Sequence, residues 1–520
     1  MDTIFENGVV LAGAPWTPAE ALAVRDGRVA AVGRRDEIRP LARAGTRVVD
    51  LGGRTLVPGF IDAHAHIWKI GHLLTSLVDL RRAASVGAVT DAVRAHAARR
   101  PDDGWVLGRG YNEARFDGPR ALTRVELDLA VPDRPVALTR TCAHIMVCNS
   151  AALRAAGITA ATEDPPGGRI ERGEDGGPTG VLHETAMGLV ARHVPPPSAR
   201  DYRTMIERAL AHQLAVGITS TTDAGVAPEL AGVYRQMDRD GALAARVNVM
   251  ALAQVDGLGP VPRPERHVSA FLRIDTVKAF ADGGLSGATA ALSVPYRHAV
   301  TRGVLRLERD ALARLAAETH AAGWRLSVHA IGDAAIALVL DALATLGPGA
   351  RGHRIEHFGL PTGADLARAS GLGIIVVPQA IFIRPLGRNF RAYLPDALLA
   401  RAYPVRAMLD AGLTVALSSD APVVEDDAPL AGMQAAVLRT DDDGVCIAPD
   451  QAITMGEALD AYTRAGAAAS GDGADRGRLD AGCLADLVVL SGNPLTTPPH
   501  ALGSVRVDQT WVGGRLAFEA

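Results

Sequence analysis

Eight short apolar runs, rich in β-branched residues, alternate with longer alanine-rich stretches through the middle of the chain. The runs read, in order, TLVPGFIDAHAH, VGITSTTDAG, RVNVMALAQ, IDTVKAFADGG, WRLSVHAIGD, GHRIEHFG, LGIIVVPQ and LTVALSSDAP. Strands that alternate with helices predict βα units around a parallel sheet, and eight such units are typical of a closed barrel. We therefore predict an α/β fold, a TIM-like (β/α)8 barrel, over residues 58–471.

The spacing of the runs also predicts an insertion after the first barrel strand. The first and second runs lie about 150 residues apart, against roughly 30 for one βα unit. The segment between them contains apolar strand-like runs on both sides of a Pro/Gly-rich stretch, PPGGRIERGEDGGP. We expect an inserted subdomain, at about 95–195, that forms a lid over the mouth of the barrel.

Both ends of the chain have a different pattern. ALAVRDGRVAAVG places two β-rich runs around Asp26-Gly27, a strong hairpin signal, and short strand-like runs return near the C-terminus. Neither end has enough strands to bury a core alone. We predict one small composite β-sandwich built from 1–57 and 472–520.

The composition is that of an ordinary soluble globular protein. Hydrophobic residues make up 48% of the 520 residues, and the formal net charge is −4. This net charge shows no excess of basic residues that would bind nucleic acid. No apolar run reaches the ~18 residues of a membrane span. The first residues show no secretory signal, and the four cysteines form no disulfide-dense pattern. We expect a cytoplasmic protein, with a homodimer as the default for a soluble enzyme.

Polar side chains that can bind metal follow several of the apolar runs. His64 and His66 stand two apart in DAHAH, and residues i and i+2 of a strand face the same side. Four further candidates each end a separate run: Lys278, His329, His357 and Asp420. The carboxyl ends of barrel strands form the active-site face, and histidines with a carboxylate suit Zn²⁺ or a similar divalent ion.

Lysine is almost absent from this chain. Of its 54 basic residues, only Lys69 and Lys278 are lysines. Arginine stays protonated, whereas a lysine amine shifts its pKa readily and can react. We therefore expect Lys278 to have a role that arginine cannot fill; the alternative is that it survived by chance. The sequence gives no explanation for Lys69.

Six motifs together resemble those of the amidohydrolase superfamily, in the branch called amidohydrolase family 3. They are VPGFIDAHAH, VKAFADGG, VHAIGD, RIEHFG, SSDAPV and GRLDAGCLADLVVL, and they extend over nearly the whole chain. The resemblance implies that His64, His66 and Asp420 bind one metal ion. It implies that His329 and His357 bind a second. It also implies that Lys278 takes up carbon dioxide and becomes a carbamate that bridges both ions.

The same resemblance implies a reaction. A metal-bridging hydroxide attacks the carbonyl of a small-molecule amide, N-formyl or N-acyl amine, and the C–N bond breaks. Asp420 acts as general base and then as general acid, so Asp420 and Lys278 are the catalytic candidates. Two alternatives stay open: another reaction on the same metals, by a decarboxylase, lyase or deaminase, and a non-catalytic binding protein.

Five residues are candidates for contact with substrate, each with a structural alternative. His144 resembles a family motif for substrate contact, or lies in the core of the insertion. Asp223 ends the second strand, or caps a helix, and Asp282 either contacts substrate or orients a ligand histidine. Trp105 and Tyr111 line the pocket, or pack in the insertion. The pocket wall also departs from the family pattern, since Ala380 stands where proline is usual.

Overall fold

The computed structural model describes residues 2–13, 16–100, 104–113, 116–117, 122–140, 145–165, 167–255, 259–297 and 300–520. His144 lies outside these residues. Two compact units divide the chain: one consists of residues 1–68 and 206–520, and the other of residues 69–205.

A parallel sheet of eight strands forms the centre of the larger unit. In sheet order its strands are β8 (Phe60–Ala65), β15 (Ile218–Val226), β16 (Arg246–Leu252), β20 (Leu272–Phe280), β21 (Arg325–Ala330), β22 (Arg354–His357), β23 (Ile375–Val377) and β24 (Thr414–Val415). All neighbours pair in parallel. Each of the eight predicted runs contributes one strand, although the last forms only two residues of regular strand.

Backbone hydrogen bonds join the first and last strands of this sheet. The N–H of Asp420 donates to the carbonyl of His64 (2.8 Å), and the N–H of His66 donates to the carbonyl of Ala421 (2.8 Å). Both bonds lie just beyond β24, at the carboxyl ends of the strands. The sheet is curled, and the chain has an α/β TIM-like fold.

Helices follow the barrel strands along the chain. Those of the larger unit and its junctions with the insertion are α2 (Ile67–Thr75), α7 (Ala199–Ala215), α8 (Pro228–Arg239), α9 (Arg309–Ala321), α10 (Asp333–Ala344), α11 (Gly363–Leu372), α12 (Ile383–Tyr393), α13 (Asp396–Leu399), α14 (Val405–Asp410), α15 (Pro429–Leu438), α16 (Met455–Ala461) and α17 (Arg464–Ser470). Helix α11 shows how local sequence sets such bounds. Thr362 and Asp365 form a capping box at its start, and Gly373 ends it at φ +67°.

Two further sheets combine strands from both ends of the chain. One has four strands, in the order β5 (Arg28–Gly33), β4 (Ala21–Arg25), β1 (Thr3–Glu6) and β6 (Arg47–Asp50). The other has six, in the order β27 (Arg515–Glu519), β26 (Val507–Val512), β25 (Leu487–Leu490), β7 (Thr55–Pro58), β2 (Val9–Ala12) and β3 (Thr17–Ala19). Phe5, Leu56, Leu487 and Trp511 belong to one hydrophobic cluster that both sheets share. Helix α1 (Arg35–Ile38) lies between β5 and β6 in the chain. The sandwich arrangement and its boundaries stay predictions.

The smaller unit has its own sheet and core. Its strands, in sheet order, are β13 (Gly168–Arg172), β14 (Pro178–Glu184), β12 (Ile145–Cys148), β11 (Val136–Arg140), β10 (Val106–Tyr111) and β9 (Leu77–Asp79), and its helices are α3 (Val86–Arg99), α4 (Arg124–Ala130), α5 (Ser150–Ala155) and α6 (Met187–Ala191). This compact unit covers residues 69–205, and Val89 and Val93 of α3 pack in one core with Val106 and Val136. The bounds of about 95–195 for an inserted subdomain stay a prediction. Its role as a lid stays a prediction.

Short strand pairs complete the described elements. β19 (His267–Val268) adds an antiparallel edge to β20, and β17 (Gln254–Val255) pairs with β18 (Gly259–Pro260).

A buried ion pair connects the barrel to the terminal sheets. Arg246 of β16 donates two hydrogen bonds to Asp486, at 2.7 and 2.9 Å, and both side chains are about 95% buried. Asp486 also accepts from the N–H of Gly513, between β26 and β27 (2.8 Å).

Replacing Asp486 with alanine should therefore strongly destabilise the fold. The change leaves a buried guanidinium without its partner, which costs about 3–5 kcal/mol in the free energy of unfolding. Urea unfolding followed by circular dichroism measures the loss. Asp36→Ala is the matched control, because the Arg34–Asp36 pair is exposed and its loss should change little. Equal midpoint shifts in the two variants would contradict the expectation.

Candidate active site

Three of the predicted ligands form one compact group at the carboxyl ends of the barrel strands. Nε2 of His66 lies 3.2 Å from Oδ1 of Asp420, and Nε2 of His64 lies 3.5 Å from the same oxygen. One potential ligand atom from each residue lies within 4.8 Å of those of the other two. The backbone bonds between the first and last strands hold these residues side by side.

The far nitrogen of each histidine in this group is already bonded to the protein. Nδ1 of His64 lies 2.6 Å from Oε2 of Glu356, and Nδ1 of His66 lies 2.9 Å from the carbonyl oxygen of Ala224. Both partners only accept, so both Nδ1 atoms donate. The unprotonated Nε2 of each ring then faces Asp420, with its lone pair available to a metal ion.

The other two predicted histidines lie next to this group. The ring centroids of His329 and His357 are 4.3 Å apart, and those of His64 and His357 are 5.1 Å apart. Nδ1 of His357 donates to the side-chain oxygen of Gln379 (2.5 Å), and Nε2 of His329 donates to the carbonyl of Gly283 (3.1 Å). Each ring keeps one nitrogen for a ligand, Nε2 in His357 and Nδ1 in His329.

Three of the candidate ligand histidines, His64, His329 and His357, are neutral at physiological pH. Burial lowers the pKa of His64, lowers that of His357 to about 3, and holds that of His329 well below its ordinary value. The positive charge of Lys278 acts in the same direction on all three. Neutral imidazole is the form that binds metal ions.

Lys278 lies at the end of β20 among these groups. It is fully buried, and its Nζ makes no hydrogen bond to any residue in the described part of the chain. Burial lowers its pKa to about 8, against the opposing charges of Glu356 and Asp420. Nζ also lies 5.0 Å from the ring centroid of Phe280. A buried ammonium without a hydrogen-bond partner is costly, which is why burial moves this pKa towards neutrality.

Two of the candidate ligands have a strained backbone. His357 has φ +69° and Asp420 has φ +54°, in the left-handed region that non-glycine residues seldom adopt. Such conformations cost about 1–3 kcal/mol each and are found preferentially at functional sites.

The donor set fits a divalent metal ion. Oδ1 of Asp420 is buried and makes no hydrogen bond of good geometry to any described residue, although Nε2 of His66 is 3.2 Å away. An acceptor oxygen and two imidazole lone pairs that face one another without a proton repel each other unless a cation lies between them. Two nitrogens and one carboxylate oxygen suit Zn²⁺ or a similar ion.

Buried carboxylates that the sequence reasoning missed hold the ligand strands. Asp62 accepts hydrogen bonds from the backbone N–H of His64 (3.1 Å) and from the N–H and hydroxyl of Ser419 (3.2 and 2.5 Å). Asp62 thus connects His64, on the first barrel strand, with Ser419, the residue directly before Asp420. Asp62 and His64 differ by two positions, so their shared face was a signal in the sequence.

Asp223 and Asp282 each bind backbone or tyrosine donors of neighbouring elements. Asp223 accepts from the N–H of Ile67, at the start of α2 (3.0 Å), and from the hydroxyl of Tyr234 (2.6 Å). Asp282 accepts from three backbone N–H groups, at 2.8 to 3.0 Å, and lies 3.4 Å from Nε2 of His329. These contacts position loops at the site; contact of either residue with substrate stays a prediction.

The two aromatic candidates lie within the smaller unit. Tyr111 is fully buried in the core that contains Val89 and Val93, and Trp105 packs against a second core beside α5. Packing accounts for both side chains. Their contact with substrate stays a prediction, as does that of His144.

A cavity of about 190 Å³ opens beside the ligand residues. Its lining consists of Gly284, Leu285, His329, Ile331, His357, Phe382, Leu386, Phe390, Tyr403, Asp420 and Val423. Among these lining residues there is no lysine or arginine. Ala380, the departure from the family pattern, begins the short turn Ala380–Phe382 that carries Phe382 into this wall. The site therefore combines metal-binding groups with an apolar pocket.

A second, larger cavity of about 300 Å³ lies between Asp238, Phe271 and Arg515. None of the residues that line this larger cavity belongs to the ligand group.

Among the described residues, no helix combines the length and apolar character that crossing a membrane requires. The cytoplasmic location and the homodimer stay predictions.

Removing a ligand nitrogen should reduce the metal content of the protein. We expect His66→Ala to lose about one ion per chain, because Nε2 of His66 is one of three facing donors. Plasma mass spectrometry on protein purified without chelators measures this. The control is His500→Ala, an exposed histidine near the C-terminus that should keep the wild-type metal content. Unchanged metal in the His66 variant would contradict the assignment.

Comparison with known proteins agrees with this site. YtcJ of Bacillus subtilis (strain 168), whose name describes it as an amidohydrolase, is 30% identical over 96% of this chain and 96% of its own length. The N-substituted formamide deformylase of Arthrobacter pascens is 32% identical over 96% of this chain and 95% of its own. The crystal structure of an uncharacterized metal-dependent hydrolase from Pyrococcus horikoshii superposes with a TM-score of 0.80 at 26% identity, covering 96% and 99% of the two chains.

The resemblance found in the sequence motifs is thus confirmed. The model of the amidohydrolase family matches residues 47–518. The chain belongs to this amidohydrolase family and is a hydrolase that acts on carbon–nitrogen bonds.

Proposed function

We propose that this hydrolase cleaves the C–N bond of a small N-formyl or N-acyl amine, or another simple amide, with two divalent ions of the zinc type. The observation that carries the proposal is the group of six side chains, all predicted as ligands, at the carboxyl ends of the barrel strands. His64, His66 and Asp420 would hold one ion, and His329 and His357 the other. A relative named N-substituted formamide deformylase supports the choice of substrate class.

Lys278 would bridge the two ions as a carbamate. The neutral amine attacks carbon dioxide, a bond forms between Nζ and carbon, and one proton leaves to solvent. The low pKa, complete burial and unpartnered Nζ of Lys278 in the described part of the chain support this, because they favour the nucleophilic amine. The product is an anion, which would compensate the positive charge of the two ions, whereas the ammonium form of Lys278 would be repelled by them.

The chemistry of the proposed reaction is divided between metal and protein. A divalent ion held there polarises a carbonyl and lowers the pKa of water. Asp420 removes a proton from the attacking water, whose oxygen bonds to the carbonyl carbon. The same carboxyl group then gives the proton to the leaving nitrogen as the C–N bond breaks. Asp420 suits this role because a carboxylate is ionised at neutral pH and can accept a proton.

The cavity indicates which substituent the amine carries. Leucine, isoleucine, valine and aromatic side chains make up most of its lining. No lysine or arginine in the lining would pair with an anionic substituent. An apolar cavity of roughly 150 Å³ is large enough for benzene, so about 190 Å³ accommodates an apolar group of similar size. We therefore propose an uncharged, apolar substituent on the nitrogen.

A matched series of substrates tests this function. N-formyl amines with apolar substituents should be hydrolysed with kcat/KM at least tenfold above those that carry a carboxylate, because burying an unpaired charge costs more than about 1.4 kcal/mol. Release of the free amine is measured. Asp420→Asn should lower kcat by at least about a hundredfold, as expected when a general base is removed. No hydrolysis of any member, or equal rates for charged and apolar members, would contradict the proposal.

The two lysines of the chain provide a matched test of the carbamate. Lys278→Arg should reduce the metal content from about two ions per chain to about one, because a guanidinium stays protonated and cannot form the bridge. Lys69→Arg makes the same change at the other lysine and should keep both ions. Metal is counted after incubation with zinc and bicarbonate. Two ions in the Lys278 variant would exclude the bridging role.

A further inference from the structure

Glu356 is a buried carboxylate that the reaction itself does not use. It lies on β22 directly before His357 and is fully buried. Its Oε2 accepts from Nδ1 of His64, which donates across the barrel from the first strand at 2.6 Å. Among the described residues, this is the shortest contact between a candidate ligand and a charged side chain at the site.

Neighbouring donors fix the orientation of this carboxylate. Oε1 accepts from the hydroxyl of Ser327 (2.7 Å) and from Nε of Arg354 (2.8 Å), while Oε2 also accepts from Nη2 of Arg354 (3.0 Å). The guanidinium is bonded in turn to the carbonyls of Ala63 on β8 and Ala469 on α17, at 2.7 and 3.0 Å. Strand six is thus connected to strands one and five through a single buried charge pair.

We propose that Glu356 is a positioning residue for the metal ligand His64. It holds the imidazole in the tautomer with a proton on Nδ1, so that Nε2 presents its lone pair to the ion. Its negative charge also raises the basicity of the ring, as carboxylates behind metal-bound histidines do. This inference rests on the proposed metal-binding role of His64 and adds the residue that orients it.

The four hydrogen bonds explain why a glutamine cannot replace this glutamate. A carboxylate accepts on both oxygens, but an amide has one oxygen and one NH₂ group. With the NH₂ toward His64, two donors face each other unless the ring moves its proton to Nε2, which then cannot bind metal. With the NH₂ in the place of Oε1, it faces Nε of Arg354. In either orientation the NH₂ group meets a donor of Arg354, and the buried guanidinium loses its compensating charge.

The test compares Glu356→Gln with Glu6→Gln. Glu6 is also a buried carboxylate that pairs with arginines, Arg35 and Arg39, but it lies on β1 of the terminal sheets. Dissociation constants for Co²⁺ are measured by competition with a chelator, and folding is checked by thermal unfolding. We expect Glu356→Gln to bind Co²⁺ about 10–100-fold more weakly than wild type, and Glu6→Gln to bind it as wild type does.

A spectroscopic readout separates positioning from general loss of stability. The visible absorption of bound Co²⁺ depends on the geometry of its ligands, so Glu356→Gln should shift these bands while Glu6→Gln leaves them in place. Unchanged affinity and bands in folded Glu356→Gln overturn the inference but leave the proposed function standing. Wild-type protein that binds no Co²⁺ overturns both.

If Glu356→Gln does not fold, Ser327→Ala replaces it as the test variant. The variant removes one hydrogen bond to Oε1 and keeps the Glu356–Arg354 pair. We expect it to bind Co²⁺ roughly threefold more weakly, a fraction of what one hydrogen bond contributes. Wild-type affinity and wild-type bands in Ser327→Ala then overturn the inference.

Discussion

Everything at this site depends on two backbone hydrogen bonds that join the first strand of the barrel to the segment after the eighth. They connect His64 with Asp420 and His66 with Ala421, both at 2.8 Å. Residues almost 360 positions apart in the chain thereby become neighbours in space. Because the carboxyl ends of all eight parallel strands lie at the same edge, the side chains from strands four, five and six meet them there. The curled sheet creates the site, and the loops complete it.

The four candidate ligand histidines at the centre of this barrel each use one nitrogen on a protein acceptor and leave the other nitrogen open. Asp62 and Glu356, in contrast, use both oxygens on protein donors. What remains is a set of lone pairs that face one another, together with a buried lysine. Such an arrangement is unfavourable without a cation, and the left-handed backbone at two ligands adds strain. Metal binding would relieve the repulsion, so the fold and the ion stabilise each other.

The sequence predicted the strands, and it allowed the ligand candidates to be named, because both have local signals. Apolar runs that end in histidine, aspartate or lysine can be read directly, as can the spacing of His64 and His66. Glu356 and Asp62 were missed because their partners lie far away in the chain, although each shares a strand face with another polar residue two positions away. The burial of Tyr111 in a core could not be predicted, since it depends on tertiary packing. The packing of α3 against the same core could not be predicted for the same reason.

The central claim is that two ions lie on either side of a modified Lys278. Anomalous scattering at the zinc absorption edge, from crystals grown with zinc and bicarbonate, tests it most directly. The account predicts two peaks, one beside His64, His66 and Asp420 and one beside His329 and His357. It also predicts density for a carboxyl group on Nζ between them. A single peak with an unmodified lysine, or no peak at all, would contradict it.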